Sequence, residues 1–352
     1  MPWRAIHVHY HDDDRDRLIL EGVRPLFERL AEDVPEAYFV PHWRLGPHLR
    51  LHVRADDAVY DRLVLPATDE IVGGFLRAHP STTELDPAAI LPLHERLAAL
   101  EGERGPLGPW PPNNTIVPAA YDERLHVHGN ADTAEMLARF HVATTPLTFD
   151  AIAATPNPAQ RRRLAFALLL ATVEAFSADG LERDFVTFRS HTEAFLHAAA
   201  GGAESRREWD AQYARNADHF AAELTGVLAT LDGTRTAVPF VRRWVDTLRP
   251  IEAAVRALVE DGRLYLPPVE PRRFEDLSSE FHRALVANPA ALERMRGDDF
   301  SVFRQLINYA YLQLTRLGIS PIERHALCHF AANTAERHYG RTSVEVISGA
   351  AG

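Results

Sequence analysis

No lysine occurs anywhere in the 352 residues; all 38 basic residues are arginine. That excludes a Schiff-base lysine, covalently held pyridoxal phosphate and a Walker-type phosphate loop, each of which needs a lysine amine. A coding bias that writes Arg for Lys accounts for the composition, and the exclusions hold whatever its cause. A single cysteine, Cys328, leaves no internal disulfide and no multi-thiolate metal cluster within one chain. The longest apolar run, residues 164–173, falls short of the roughly 20 residues a spanning helix requires. A secretory signal is also missing, because His7, His9, His11 and Asp12 to Asp14 stand where its apolar stretch would be. A cytoplasmic protein that meets no membrane is expected. A net charge of −11 argues against a partner held mainly through its phosphates, such as DNA or tRNA.

What is present is an apolar content of 46%, enough for a packed core. Residues 4–10 alternate, with Ile6, Val8 and Tyr10 on one face and Ala5, His7 and His9 on the other, the period of a strand. Ile19, Val23, Leu26, Phe27 and Leu30 then recur at helical spacing, and Pro25 should kink or divide that helix. Residues 37–43 and 48–54 read as a hairpin turned at Leu45-Gly46-Pro47, with the first strand as neighbour. Weakly helical sequence to about residue 100 leads into a Gly/Pro/Asn loop over 102–114 and a second β-rich stretch over 116–128. Asp132 and Glu135 are spaced as a capping box, and from there the chain is almost all helix.

The predicted periodic segments are 160–178, 182–199, 204–231, 238–261, 272–287, 300–317 and 320–339, the last opened by Ser320, Pro321 and Glu323. The expected fold is therefore α+β: a small, mostly antiparallel sheet with flanking helices at the N-terminus, followed by a predominantly helical C-terminal half. A single domain over 1–352 is expected, with a β-rich part to residue 130, a helical part over 131–340 and a loose tail over 341–352.

Candidate chemistry lies in three places. On the strand 48–54, Leu49, Leu51 and Val53 share one face, so His48, Arg50, His52 and Arg54 line the other. That row is either a solvated sheet face or a basic wall for a polar substrate, and spacing alone admits both. In the second β stretch Arg124, His126 and His128 alternate with Leu125 and Val127, Glu123 standing just ahead. His-x-His is a possible metal pair, but no H-E-x-x-H motif accompanies it, and a proton-handling or hydrogen-bonding role fits better than a ligand role. Projected at 100° per residue, the helix 300–317 sets Tyr311 at one border of its core stripe, while Tyr309 and Gln313 fall at the other. Taken alone, each phenol reads as an amphipathic core-edge tyrosine before it reads as a catalyst.

These residues resemble a known family. Trp3 to Tyr10, then Val23-Arg24-Pro25-Leu26, Tyr38-Phe39-Val40-Pro41-His42-Trp43 and Gly46-Pro47-His48-Leu49-Arg50-Leu51 look like the start of the C-terminal domain of lantibiotic dehydratases. The resemblance is strong over about the first 55 residues, moderate around 121–141 and 311–320, and only helical in character between. In full-length dehydratases that domain eliminates glutamate from glutamylated Ser or Thr, using two arginines, a Glu with a partner Arg, and a late histidine. The resemblance puts the first arginine at Arg50 and the second at His52. It puts the glutamate at Glu123, its partner at His126 and the late histidine at Tyr311.

Replacement of three of those groups on a kept scaffold implies a changed reaction, since elimination needs a base for the α-proton and cations for the departing carboxylate. Relatives so altered resemble the pyridine synthases of thiopeptide assembly. These join two dehydroalanines of a leader-bearing peptide by a formal [4+2] aza-cycloaddition, then release water and the leader. The resemblance implies no cofactor and no metal, a dehydrated leader-bearing precursor as partner, and neither nucleic acid nor membrane. It implies Tyr311 and Glu123 as proton-handling residues, with Arg50, His52, His126 and His48, and Tyr309 and Gln313 beyond them, lining the substrate cavity. The hairpin and its flanking helices are the expected docking surface for the leader, because an extended peptide can add to an exposed sheet edge. Two other readings stay open: a glutamate-eliminating lyase, and a non-catalytic partner that binds precursor peptide.

Overall fold

A computed structural model describes residues 1–199, 201–267 and 279–349. It divides into two compact units, Met1–Ala154 and Thr155–Gly352. The boundary falls after residue 154 rather than near 130, because the helix Ala131–Ala154 packs on the sheet.

In the first unit, strands β1 (Trp3–His9), β2 (Ala37–His42), β3 (His48–Arg54) and β4 (Thr115–Ala119) form one antiparallel sheet in the order β2-β3-β1-β4. The hairpin, with β1 as its neighbour, is as the alternation predicts. Ile6, Val8, Phe39, Leu49, Leu51 and Val53 share one face and are at most 1% exposed. Burying each such side chain contributes about 1.5–3 kcal/mol. Phe149 stacks on Phe39 at 5.4 Å and meets Phe27 edge-on at 6.1 Å, so two helices close this apolar face.

As expected of Pro25, residues 16–30 are divided, into a short helical turn, a π turn and a new α-helix. A wide π turn at Ile19–Val23 precedes Arg24–Leu30, placing the proline in a new first turn where its missing N–H forfeits little. Pro66 is accommodated in the same way after the π turn Tyr60–Val64. Residues 57–78 and Pro87–Glu101 are the helices behind the weak pattern before residue 102.

The second β stretch is shorter than predicted. The ladder ends at Ala119, and Leu125–His128 is a single helical turn. Asp122 accepts the Arg124 N–H at 2.9 Å, and Arg124 takes φ +48°, so a side-chain turn replaces the ladder bond. Arg124, His126 and His128 therefore do not form a row on a sheet. The capping expectation also changes. Asn130 accepts the Thr133 N–H at 2.8 Å, while Glu135 accepts from Trp3 Nε1 at 3.1 Å and pairs with Arg54. Tyr38 and Phe39 leave β2 on opposite faces yet stack on His141 and Phe149 of the one helix Ala131–Ala154.

The second unit is helical among its described residues: Pro158–Phe176, Gly180–Asp184, Val186–Ala198, Gly202–Leu231, Val241–Glu260, Glu280–Ala287, Pro289–Arg294, Asp298–Arg316, Pro321–Tyr339 and Ser343–Ser348. Residues 164–173, the longest apolar run, are at most 6% exposed inside Pro158–Phe176. No single described helix is long and apolar enough to cross a membrane. Ser320 and Glu323 form the expected capping box. A second box, Thr342 with Glu345, nucleates Ser343–Ser348 and buries Val346, so the expected loose tail is a docked helix up to residue 348. Residues 272–278 of the predicted helix 272–287, and the tail beyond 349, lie outside the described residues.

The hairpin turn holds Leu45 at φ +63° and Gly46 at φ +89°. A Cβ on Gly46 would stand 2.8 Å from the Trp110 ring. Gly46→Ala is expected to lose about 1–3 kcal/mol through left-handed strain and that clash, read as a lower urea midpoint; an unchanged midpoint would show that the loop carrying Trp110 yields freely.

Candidate active site

The register of the sheet assembles a site that no single strand reveals. Opposite the apolar face, β1 contributes His7 and His9, β2 contributes Tyr38 and His42, and β3 contributes His48, Arg50 and His52. His7 lies across from Arg50 and His9 across from His48. The imidazoles pack ring to ring, His7 to His48 at 4.7 Å, His9 to His48 at 4.8 Å and His42 to His48 at 5.5 Å. This face is not solvated, since His9 and His48 are each 1% exposed and His52 is 6% exposed. His52 is enclosed by Tyr38 at 4.7 Å and Tyr121 at 5.1 Å, and Tyr121 stacks on Trp3.

Burial decides the charge here. Desolvation, reinforced by Arg50, lowers His7 to about 4, and desolvation with His11 lowers His9 to about 4. It drives His48 to about 2, lowers His42, and holds His52 far below the ordinary imidazole range. The row is therefore neutral at pH 7, with one cation in its midst.

Hydrogen bonds fix the tautomers. His48 Nε2 accepts from Arg50 Nε at 3.3 Å, so its Nδ1 carries the hydrogen and donates to the Gly46 carbonyl at 2.8 Å. His42 Nδ1 accepts the Arg44 N–H at 3.0 Å, which leaves Nε2–H as a buried donor without an acceptor. No carboxylate pairs with Arg50 among the described residues. Burial and the neighbouring Arg124 lower its pKa to about 10. The nearest buried carboxylate, Glu103, is already engaged by Arg124 at 2.5 Å and by Arg44 at 3.4 Å. Arg50 can thus present its terminal N–H groups to a polarised carbonyl or a carboxylate, with neutral imidazole donors beside it.

Of the residues singled out in the first unit, the sheet brings together His48, Arg50 and His52. Glu123 and His126 are instead exposed, on the loop and helical turn after β4. His7, His9 and His42 join the cluster only once strand order is known. Glu103 comes from the aperiodic Gly/Pro loop, where no pattern marks it.

In the second unit, Tyr309, Tyr311 and Gln313 are buried rather than at the border of a stripe, at 1%, 7% and 0% exposure, because neighbouring helices wrap most of Asp298–Arg316. Burial raises the pKa values of both phenols, and for Tyr311 the adjacent Cys328 adds to the rise. Cys328 Sγ lies 3.9 Å from the Tyr311 hydroxyl, and its own pKa is pushed up to about 12 by burial. Tyr311 is hence a protonated phenol, able to donate and reluctant to ionise. His191 stacks on it at 4.4 Å, and the Arg324 guanidinium lies 5.3 Å from its ring centre. A separate cavity of about 340 Å³ within this unit is lined by Val186, Phe281, Leu285, Phe300, Phe303 and Val346 among others, and by none of the sequence-predicted residues. Among the described residues, no group of three or more His, Cys, Asp or Glu is placed to hold a metal ion.

An imidazole whose folded pKa lies near 4 against an unfolded value of 6.5 favours the unfolded chain wherever that chain takes up the proton first. Its contribution is complete above pH 6.5 and is lost as pH falls toward 4. The melting temperature is expected to drop across that window, and His9→Asn is expected to make the drop shallower. Identical slopes for the two proteins would mean that His9 is not buried neutral.

Residues 3–335 match the family described as the lantibiotic biosynthesis dehydratase C-terminal domain. A search of curated sequences finds no match. Among solved structures, the chain is similar to the pyridine synthase TbtD of thiomuracin biosynthesis, with 39% identity and a TM-score of 0.82 over 97% of this chain and 99% of that one. It shares its fold with TsrL, with 19% identity and a TM-score of 0.75 over 100% of this chain and 99% of that one. It also shares its fold with part of the tRNA-dependent lantibiotic dehydratase MibB from Microbispora sp. 107891, with 14% identity and a TM-score of 0.56 over 97% of this chain and 28% of that one. The chain belongs to the lantibiotic biosynthesis dehydratase C-terminal family.

Proposed function

We propose that this protein closes the central pyridine of a thiopeptide, acting in the cytoplasm on a dehydrated, leader-bearing precursor. The observation that carries the reading is the 39% identity to the thiomuracin pyridine synthase across nearly the whole of both chains. The chemistry of the residues agrees with it. One amide of the substrate shifts its proton to become an iminol, whose C=N conjugates with the adjacent dehydroalanine alkene. The azadiene then adds across the second alkene, forming two C–C bonds. Water leaves from the former amide carbon, and the leader departs as a carboxamide when its C–N bond to the ring breaks. No step needs an oxidant.

The protein's part is to fold a flexible peptide so that diene and alkene meet, which can be worth about 7–11 kcal/mol, and to move protons. Tyr311 is the assigned proton donor, its burial keeping the phenol protonated at neutral pH. Arg50 polarises a substrate carbonyl, helped by His48 and His52, with the neutral donors His7 and His42 beside them. Tyr309 and Gln313 hold the helix that presents Tyr311. Glu123 and His126, exposed after β4, are assigned to the entering peptide rather than to the reacting atoms.

Glutamate elimination is poorly served by the same face. Where that reaction uses a second guanidinium, His52 is an imidazole that burial keeps neutral, so it cannot steady a departing carboxylate as a cation would. A purely peptide-binding role is disfavoured by the 39% identity to a pyridine synthase over nearly the whole of both chains.

Mass spectrometry after incubation with a leader-bearing precursor containing dehydroalanines tests the reading. A macrocycle lighter by water and the leader carboxamide is expected; loss of glutamate alone from a glutamylated peptide, or no change in mass, would overturn it. Tyr311→Phe should lower turnover by roughly 10²- to 10⁴-fold with peptide affinity unchanged, and full turnover would remove Tyr311 from the chemistry. Arg50→Gln should cost roughly 10²- to 10³-fold in kcat, and a change confined to KM would reassign it to binding.

A further inference from the structure

Tyr311 is the end of a column of aromatic rings drawn from four helices. His191 of Val186–Ala198 lies on it at 4.4 Å with the planes 12° apart. His325 of Pro321–Tyr339 lies on His191 at 4.3 Å and 26°, and Phe195 on His325 at 4.1 Å and 15°. Trp209 of Gly202–Leu231 continues the stack at 6.0 Å from Phe195. The tyrosine's other contacts are softer: one long thiol contact from Cys328, and Arg324 beside the ring. No described side chain other than Cys328 hydrogen-bonds the phenol oxygen, so its position is set by where its ring is held.

We propose that His191 is the positioning residue for the Tyr311 phenol: clamped between His325 and Tyr311, its ring fixes the plane of the tyrosine and hence the point at which the hydroxyl meets the peptide. The inference rests on Tyr311 being the proton donor. Two features support it beyond the stacking. His191 Nε2 is buried with no hydrogen-bond partner, so no hydrogen bond at that atom competes with the stacking for the ring's orientation. The imidazole is also kept neutral by burial, with His325 and Arg324 both opposing a positive charge there, so the ring remains a flat, uncharged plate at any pH where the phenol works. Groups facing His191 are Tyr311 from Asp298–Arg316 and Arg324 and His325 from Pro321–Tyr339, none of them anionic at neutral pH.

The test is a kinetic double-mutant cycle on the full chain with the leader-bearing precursor, using His191→Ala, His191→Phe, Tyr311→Phe and the combination of His191→Ala with Tyr311→Phe. A displaced hydroxyl should cost roughly 10- to 10²-fold in kcat with KM unchanged in His191→Ala. His191→Phe, which keeps a flat ring, should recover most of that loss. The double variant should be no slower than Tyr311→Phe alone. Full activity in His191→Ala, a loss that multiplies in full with that of Tyr311→Phe, or equal damage from Phe and Ala would each overturn the assignment. A fully active Tyr311→Phe would instead overturn the reading of Tyr311 on which it stands. Because His191→Phe fills the same slot in the column, its kinetics decide the matter even where His191→Ala fails to fold.

Discussion

An unpaired guanidinium buried among neutral imidazoles is the constraint around which the first unit is arranged. Arg50 cannot lose its charge at neutral pH, since even with burial and Arg124 against it the group titrates near 10. Every imidazole around it is consequently discouraged from taking a proton, through desolvation first and through Arg50 itself for His7, His42, His48 and His52. The outcome is a wall with one fixed cation and several neutral hydrogen-bond donors. A wall of arginines would bind a carboxylate tightly, whereas this one is suited to polarising an uncharged amide without trapping an anion.

Such an arrangement is unfavourable for folding. His9 Nδ1, His42 Nε2 and His52 Nδ1 are buried without partners, and each such atom costs about 1–3 kcal/mol. The compensation lies on the reverse of the same strands, where Leu49, Leu51, Val53, Ile6, Val8 and Phe39 are fully packed. Strand alternation thus lets one sheet carry the stability on one side and the chemistry on the other. The turn belongs to this division too: the Gly46 carbonyl accepts from His48, which frees His48 Nε2 to accept from Arg50, and Trp110 closes over Gly46 where any Cβ would intrude.

The parts of this that were legible in the sequence are those governed by local period. Residues 48–54 alternate cleanly, so the row His48, Arg50, His52 could be read directly, and the Ser320 capping box announces its helix. What could not be read depends on pairing or on side-chain competition for the backbone. His42 and His7 reach the site through register across strands, and Glu103 through a loop with no period. Residues 121–128 carry an alternation that Asp122 overrides by capturing the Arg124 N–H, which turned an expected strand into a helical turn and left Glu123 and His126 exposed. Pro25 was legible as a dividing residue, and the wide turn ahead of it, like the one ahead of Pro66, gives the proline a first-turn environment. The placement of Tyr311 failed on a different ground, because a projection of one helix cannot count how many neighbours surround it.

The proposed cyclisation begins and ends with neutral groups. Elimination of a carboxylate creates an anion that cations must meet; addition of an azadiene to an alkene creates none, and its demands are the movement of a proton and the exclusion of water. On the proposed reading burial serves both demands, with Arg50 the one charged group assigned to a substrate carbonyl. Burial raises the Tyr311 phenol so that the hydrogen remains available for donation, and lowers the sheet imidazoles so that they neither bind nor release protons near pH 7. On the proposed reading, a neutral imidazole at 52 in place of a second guanidinium removes stabilisation of a departing anion, which the cyclisation does not need. On that view the change of reaction within one fold followed from a change in charge state, with the scaffold left intact.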